Sequence, residues 1–424
     1  MIPFLAPLWA KLSGPNDGAR FQIVSSLQHR NYMLLWVGTL ISQTGDWMDQ
    51  IALNWLILVM TNSPFYLGIF NLCRAIPMLL LILLAGVVAD RMERRQMLMI
   101  TQTAAMVMAL SLAVLVSTGL VQVWHIFLIG TLRGIIMSFN IPARQTIISD
   151  LVPREKLANA IALNSATINV TRIVGPSIAG ALIATVGNSS PFYVNGLSFL
   201  GVLYTLHCMR FPEPAARPPR TSLLSEMREG LVYIRGNSTM LALVIIAIVP
   251  MFLAQPYMAM LTVFAKDVLD IGPVGLGLLT SAAAGGAVFG ALFVASLGDF
   301  RQKGALMMAA LFAFGATLLL FSMSPWPLLS VFLVVLVGAT GTMYNSSNNT
   351  ILQLMAPDHL RGRILSTLFL NRAMVPMGTA MTGSLAAVVG APIAMGSMAA
   401  LVVALALVIR TVAPHVALVE ARAG

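Results

Sequence analysis

The sequence is short of charge. Only 9% of its 424 residues are Asp, Glu, Lys or Arg, and 58% are apolar, whereas an ordinary globular domain carries about 25% charged residues. So few charges cannot cover the surface of a soluble protein of this length, which argues against a water-soluble enzyme. At about 20 residues for each membrane-crossing helix, the length allows about a dozen spans joined by short loops.

The residues that build disulfide, metal and nucleotide sites are also scarce. The two cysteines, Cys73 and Cys208, stand in apolar surroundings and the five histidines are scattered, so we predict neither a disulfide framework nor a metal site. The sequence has no GxxxxGK[ST] phosphate loop and no paired His/Asp or Ser/Lys arrangement. We therefore predict a protein that is not an enzyme, uses no cofactor or nucleotide, and draws its energy from an ion gradient or from leakage of its substrate.

Apolar stretches separated by turn residues are what the sequence does contain. Twelve of them predict an all-α integral membrane protein with twelve transmembrane helices. The predicted spans cover residues 32–60, 66–89, 97–118, 124–148, 158–186, 192–211, 238–265, 274–297, 305–323, 327–354, 364–389 and 392–411.

The basic residues predict the orientation of these spans. The chain has 25 Lys and Arg against 15 Asp and Glu, a net charge of +10, and 20 of the basic residues lie on the side of the charged connections and the two termini. On the opposite side the connections contain Lys266 alone. Because cytoplasmic loops are rich in Lys and Arg, we predict a multi-pass protein of the cell inner membrane with both termini in the cytoplasm. The orientation of the spans accounts for the positive charge, and we predict no nucleic-acid partner.

The longest charged connection divides the spans into two groups of six. It begins with a proline-rich stretch and continues as SLLSEMREGLVYI, which has the spacing of a helix lying on the membrane surface. The predicted parts are a cytoplasmic segment 1–30, a six-helix bundle 31–211, a cytoplasmic linker 212–237, a second six-helix bundle 238–411 and a cytoplasmic tail 412–424.

The two groups of spans resemble each other. Asp90 follows the second span as Asp299 follows the eighth, and Pro153 follows the fourth span as Pro357 follows the tenth, at offsets of 209 and 204 residues. An internal duplication of six spans is typical of secondary transporters, whose two halves move about a central site.

Two motifs carry a resemblance to a known family. GVVADRMERR resembles the major facilitator superfamily signature Gly-x-x-x-Asp-Arg-x-x-Arg-Arg, and RIVGPSIAGAL is similar to the antiporter signature of that superfamily. RNYMLLWVGTLISQTGDWMDQIAL and IPARQTIISDLVPREKLANAIAL further resemble the branch that includes bacterial enterobactin exporters. The sequence departs from these patterns at Ala179, where a second glycine is usual, and at Phe300, which replaces an arginine. The resemblance covers residues 30–411 and implies the major facilitator fold of two pseudo-symmetric six-helix bundles, and a monomer.

The first motif predicts a cytoplasmic gate. Asp90 falls at the C-terminal end of a helix, where the helix dipole is already negative, so a positive group is expected beside it: Arg94, Arg361, Arg363 or the start of the eleventh helix. Asp299 occupies the equivalent corner of the second half. The alternative is that these charges only set topology. The complete predicted gate consists of Gly86, Asp90, Arg91, Arg94, Arg95, Asp299, Arg361 and Arg363.

The second motif predicts a kinked helix. Gly175 and Pro176 interrupt the hydrogen-bond ladder, and Gly180 offers close helix packing. The resemblance implies that this contact favours export, whereas glycine and proline are also common in ordinary membrane helices.

Six ionisable residues fall in the interior of predicted spans, away from the span ends, where charge is costly and marks functional sites. Asp46 and Asp49 stand three apart on nearly one helix face, and burial with mutual repulsion would help one of them to hold a proton. Arg74 or Arg172 could compete with that proton, and the alternatives are a hydrated Asp46 near the periplasmic end of the span or a static ion pair. The intramembrane arginines are Arg74, Arg133, Arg172 and Arg372.

Several neutral polar residues could line a substrate cavity or join helices by hydrogen bonds. They are Asn164, Asn169, Gln255, Tyr257, Tyr344, Asn345, Asn348, Asn349 and Asn371.

Together these features predict a secondary active transporter working by alternating access. The leading hypothesis is proton-coupled export, an antiport, of an amphipathic small molecule such as a drug (multidrug resistance) or a siderophore. The alternatives are a transporter of lysophospholipid or another lipid-like substrate, an uptake symporter, and a non-transporting membrane receptor or scaffold. The expected partners are the small molecule, protons and membrane lipids.

Overall fold

The computed structural model describes residues 25–209, 234–298, 302–357 and 370–416, and its regular structure in these ranges is helical. Short 3₁₀ turns lie at Ser25–Gln28 and Pro414–Val416. The membrane helices are α1 (Arg30–Thr61), α2 (Pro64–Arg91), α3 (Arg94–Ser117), α4 (Val123–Leu151), α5 (Arg154–Thr185), α6 (Ser190–Cys208), α7 (Ser238–Leu253 and Tyr257–Val263), α8 (Gly272–Ser296), α9 (Lys303–Ser322), α10 (Pro327–Met355), α11 (Leu370–Val389) and α12 (Ala391–Val412).

These helices confirm the twelve predicted spans, and their ends lie within about four residues of the predicted ones, except at the start of α11, where the predicted start at 364 lies outside the described residues. Among the described residues, nine helices are long and apolar enough to cross a membrane. Helix α1 is not one of them because its middle carries Asp46, Asp49 and their polar neighbours. The helix with the candidate proton site is therefore one whose described sequence falls short of that apolar threshold.

The internal duplication is visible in the helix ends. Helices α4 and α10 each contain 29 residues, and each ends two residues before its matching proline, Pro153 or Pro357. Because proline disfavours the α conformation in the residue before it, both helices end at the same point of the repeat.

Helix α7 differs from the single continuous span predicted for 238–265. It contains Pro250 and stops at Leu253, and the chain resumes helical structure after Pro256, which has no N–H to continue the ladder. A π-helix at Phe264–Val268 then ends the span. The hydropathy pattern could not show this break because apolar residues continue through it.

The chain forms two compact units whose boundary cuts through α1 and α2. Unit 1 consists of Met1–Leu53 with Ile76–Ala216, and unit 2 of Asn54–Ala75 with Arg217–Gly424. The predicted bundles, 31–211 and 238–411, placed the α1–α2 turn in the first half. The structure instead packs that turn within unit 2.

Glycines bring α8 and α10 of unit 2 close together. A Cβ at Gly338 would overlap the carbonyl oxygen of Ala283, and one at Gly286 would overlap that of Val335. Small residues of this kind allow membrane helices to pack backbone to backbone, where van der Waals contact rather than the hydrophobic effect holds them.

We expect Gly338→Leu to destabilise unit 2, because the new side chain would push α10 away from α8; overpacking of this kind costs about 1–3 kcal/mol. Thermal melting in detergent measures the change. Gly285→Ala on α8 is the control, since a Cβ there meets no atom within 4 Å. Equal melting of the two variants would contradict this view of the contact.

Candidate functional site

Two acidic residues of α1 share one arginine of α4 within unit 1. Arg133 Nη2 donates to Asp46 Oδ1 at 3.0 Å, and Arg133 Nη1 contacts Asp49 Oδ2. Asp46 and Asp49 reach the same guanidinium because they stand one helical turn apart. We call Asp46, Asp49 and Arg133 the charge triad.

The three members of the triad differ in exposure. The side chains of Arg133 and Asp49 are 3% and 2% exposed, whereas that of Asp46 is 23% exposed. Oδ1 of Asp49 makes no hydrogen bond to any described residue. The triad therefore contains one deeply buried ion pair and one carboxylate that solvent can reach, with two acids against a single base.

Two further cations lie on the helices that flank α1. Arg144 of α4 donates to Ser42 Oγ at 3.3 Å and lies near enough to Asp46 for their charges to interact. Arg172 of α5 stands over the ring of Trp47, 5.6 Å from its centre, in a cation–π arrangement. Arg144 thus adds positive charge beside Asp46, while Arg172 is held against the indole of the next residue along α1.

Sequence reasoning missed Arg144, because its place near the end of the fourth span put it among the topology-setting charges. A signal was present: Arg144 lies eleven residues after Arg133, about three helical turns, and so on the same face of α4.

The structure adds Arg133 to the arginines that we expected beside the two acids. We expected Arg74 or Arg172 to compete with the proton, and the structure places Arg133 there. Arg74 is half-buried on α2 within unit 2, and Arg172 is directed to Trp47. Periodicity within one helix cannot show which helices are neighbours, so the sequence could not select among the four arginines.

The kink motif packs α5 against α1, the helix that carries the two acids of the triad. A Cβ at Gly175 would lie 2.6 Å from Trp47 Cβ and 3.0 Å from the carbonyl oxygen of Thr44. Pro176 and Gly180 are buried beside it. The close helix contact predicted from Gly175 and Gly180 therefore falls one turn from Asp46.

Neutral polar residues gather on α10 of unit 2. Tyr344 and Asn348 are 2% and 1% exposed, while Asn345 and Asn349 are half-buried and joined by a 3.1 Å hydrogen bond. Tyr257 is also buried.

The remaining candidates are dispersed or lie outside the described part of the chain. Asn164 is half-buried, Asn169 is exposed and donates to its own helix at Ser165 O, 3.0 Å away, and Gln255 is half-buried at the break in α7. Asn371 and Arg372 belong to α11, but their side chains are outside the described part.

The gate motif spans the end of α2 and the start of α3. Arg95 donates from Nη2 to the carbonyl oxygen of His207 at 3.0 Å, which joins α3 to α6. The backbone of Gly86, Asp90, Arg91 and Arg94 is helical, and their side chains are outside the described part; Asp299, Arg361 and Arg363 lie outside the described residues altogether. The gate therefore stays a prediction. Among the described residues, no group of three metal-binding side chains is present.

Known proteins match this chain over most of its length. It is 27% identical to the staphyloferrin A transporter of Staphylococcus aureus, covering 82% of this chain and 87% of that protein. It is also 27% identical to the multidrug efflux pump Tap of Mycolicibacterium fortuitum, covering 84% of this chain and 90% of the pump.

Solved structures of transporters share the fold. A bacterial homologue of the human lysosomal transporter Spinster, in an inward-facing conformation, superposes with a TM-score of 0.70 at 15% identity, covering 92% of this chain and 96% of that one. A bacterial homologue of the iron transporter ferroportin gives a TM-score of 0.70 at 16% identity, with 92% and 98% covered.

The profile of the transmembrane secretion effector family matches residues 22–423. This match, the transporter relatives and the twelve-helix fold agree with the resemblance carried by the two motifs. The chain belongs to the transmembrane secretion effector family of the major facilitator superfamily, and it is a membrane transporter and not an enzyme.

Proposed function

We propose that this protein is a proton-coupled exporter of the inner membrane that carries an amphipathic small molecule, of the drug or siderophore class, by alternating access. The observation that carries the proposal is the charge triad, in which one arginine serves two acids of unequal exposure. The relatives described as a multidrug efflux pump and a siderophore transporter support the choice of cargo.

The triad supplies a place for one proton. With both acids ionised, Arg133 balances only one of the two negative charges of the triad, and a second negative charge inside a membrane helix is costly. A proton on Asp46, the exposed member, leaves the Arg133–Asp49 pair neutral. Arg144 lies near enough to Asp46 for their charges to interact, and this attraction helps the triad to lose the proton again when its surroundings change.

Competition between proton and cargo would couple the two fluxes. A cargo group that donates a hydrogen bond, or carries positive charge, binds the ionised form of Asp46 and leaves when Asp46 is protonated. Export by antiport therefore predicts that cargo affinity rises as pH rises through the titration of Asp46. An anionic cargo attracted by Arg144 would show the opposite dependence, and this distinguishes the lipid-like or uptake alternatives.

A contact at the other end of α1 supports alternating access. Asn62, at the α1–α2 turn, accepts a 2.6 Å hydrogen bond from Lys266 Nζ. Gly68 of α2 and Gly383 of α11 let the backbones touch, since a Cβ at Gly383 would lie 2.6 Å from the carbonyl oxygen of Pro64. By the predicted orientation this contact lies on the non-cytoplasmic side, and cargo release there requires it to break.

We expect Lys266→Met to weaken this outer contact, because it removes the hydrogen bond to Asn62. Labelling of the native Cys73 by a membrane-impermeant maleimide, in a Cys208→Ser background, measures the effect. Cys73 lies nine residues into α2, about 13 Å below its outer end, so we expect its labelling to be accelerated about threefold or more, as a loss of about 0.7 kcal/mol from one exposed hydrogen bond implies.

The control for this variant is Asp267→Asn. Asp267 is the other partner of Lys266, at 2.7 Å, and it belongs to the same π-helix. If both variants label as fast as the wild type, the outer contact does not govern access.

The experiment that tests the proposed function is transport by purified protein in liposomes under an imposed pH gradient. A compound panel is applied and proton flux is recorded together with cargo movement. Cargo flux against its own gradient, accompanied by proton flux in the opposite direction, supports the proposal. Transport that ignores the pH gradient contradicts proton coupling.

A further inference from the structure

Three polar side chains of α10 form a buried patch in unit 2. Tyr344, Ser347 and Asn348 stand at positions i, i+3 and i+4 and therefore share one face of the helix. They are 2%, 3% and 1% exposed. Tyr344 Oη, Ser347 Oγ and both polar atoms of the Asn348 amide make no hydrogen bond with any residue in the described part of the chain. We call these three residues the polar patch.

Ordinary helix bonding does not account for this patch. Elsewhere on α10, Thr340 and Thr350 donate to carbonyl oxygens four residues earlier, at 2.7 and 2.9 Å. Asn349 donates to Asn345 on another face. Ser347 has the same local option and does not use it. Nearly all buried polar groups in proteins are hydrogen-bonded. Four atoms on one helix face without a partner among the described residues therefore indicate that they are placed to bind a polar group of a ligand.

An aromatic layer holds the patch in place. The ring of Phe314 on α9 stacks on that of Tyr344, with 5.6 Å between centres and 19° between planes, and Tyr257 meets Phe314 edge-on at 6.4 Å. Gly341 makes room for this layer, because a Cβ there would lie 3.0 Å from Phe314 Cε2. The Tyr344 ring is thus fixed by packing while its hydroxyl is left without a partner.

The chemistry of the patch selects an uncharged ligand. Two hydroxyls and a carboxamide offer both donors and acceptors and carry no charge. An ion placed among these neutral side chains would lose its hydration without gaining a counter-ion. A hydroxyl or carboxamide group can instead pair with the Asn348 amide and with a hydroxyl at the same time.

We propose that the polar patch is a second binding subsite of the transporter, one that takes an uncharged hydroxyl- or amide-bearing part of the cargo. This inference rests on the proposed transport function and deepens it. The charge triad of unit 1 senses protons, and the polar patch of unit 2 recognises neutral polar groups. Cargo lacking such groups would not use it.

Two variants and two probes test this subsite. Tyr344→Phe removes the hydroxyl and keeps the ring stacked on Phe314, and Asn348→Leu replaces the amide by an apolar side chain of similar size. Chloramphenicol is the uncharged probe, with two hydroxyls and an amide, and ethidium is the cationic probe without either group. Thr340→Val is the control, since Thr340 is bonded within its own helix.

We expect each patch variant to raise the KM for chloramphenicol about tenfold, as the loss of one good hydrogen bond implies, and to leave ethidium transport and the Thr340→Val control unchanged. The melting temperature of Tyr344→Phe without cargo should stay within about 3 °C of wild type, because the hydroxyl has no partner to lose. A larger fall would mean that the hydroxyl has a structural role, and equal effects on both probes would mean a general loss of transport; either result overturns the subsite.

The wild-type protein separates this inference from the proposed function. Gradient-driven transport of ethidium without transport of chloramphenicol would overturn the subsite and leave the proposed function standing. Failure to move either probe under a pH gradient would overturn both.

Discussion

Replacing Arg133 by methionine is expected to abolish transport and to destabilise unit 1 by about 3–5 kcal/mol, the usual cost of removing one partner from a buried ion pair. Asp49 is almost fully buried and Arg133 is its ion-pair partner in the described part of the chain. Without the guanidinium, the buried carboxylate of Asp49 would lose its ion-pair partner in the described part of the chain.

The rescue of this variant separates charge from packing. Adding Asp49→Asn to Arg133→Met removes the stranded carboxylate and should restore most of the lost thermal stability, although coupled transport should stay absent. Arg172→Met is the matched control, because a cation–π contact such as that with Trp47 contributes only about 0.5–1 kcal/mol. An Arg133→Met protein that melts and transports like the wild type would show that the triad is not a buried charge site.

Replacing Asp46 by asparagine should remove proton coupling while the protein still folds. Asparagine keeps the shape and can still accept the 3.0 Å hydrogen bond from Arg133 Nη2, but it cannot exchange a proton. The site then resembles its protonated form permanently, with a neutral Arg133–Asp49 pair. We expect proton flux and gradient-driven cargo movement to fall at least 100-fold, since a coupled cycle needs the titrating group in every turnover.

The pH dependence of cargo binding is a second measurement on the Asp46→Asn variant. In the wild type, affinity should rise with pH as Asp46 loses its proton, and in Asp46→Asn it should be low and independent of pH over the same range. Asp267→Asn, an acid outside the triad, is the control and should behave like the wild type. Gradient-driven transport that persists in a protein with both Asp46→Asn and Asp49→Asn would eliminate the coupling proposal.

The fold could be predicted from the sequence because its signals are local. A span of about 20 apolar residues is visible in one window, and prolines end α4 and α10 at matching points of the repeat. The break in α7 was missed for the same reason, since an apolar window does not register a lost N–H at Pro256. The family signature at residues 86–95 is likewise a contiguous motif that the sequence alone shows.

The sequence predicted which residues belong to the site but not how they pair. The cost of charge in the membrane selected Asp46, Asp49 and Arg133 from the sequence, and helical periodicity placed the two acids on one face. Their partner could not be chosen, because Asp46 and Arg133 stand 87 residues apart along the chain and meet only through the packing of α1 against α4. Arg144 was overlooked because it lies near the predicted end of the fourth span, where a charge is expected to set topology. Its position on the same face of α4 as Arg133 is the signal that was not used.

Composition, periodicity and charge bias, then, determined by themselves that this chain is a twelve-helix membrane protein of a transporter superfamily with costly charges inside it. The tertiary structure alone decided which charges pair, that one acid is buried and the other reachable, that the α1–α2 turn packs within unit 2, and that a patch of α10 has no hydrogen-bond partner among the described residues. The physical reason is the range of the forces: hydropathy and turn chemistry act between neighbours in sequence, whereas ion pairing and packing act between helices whose positions no local pattern encodes.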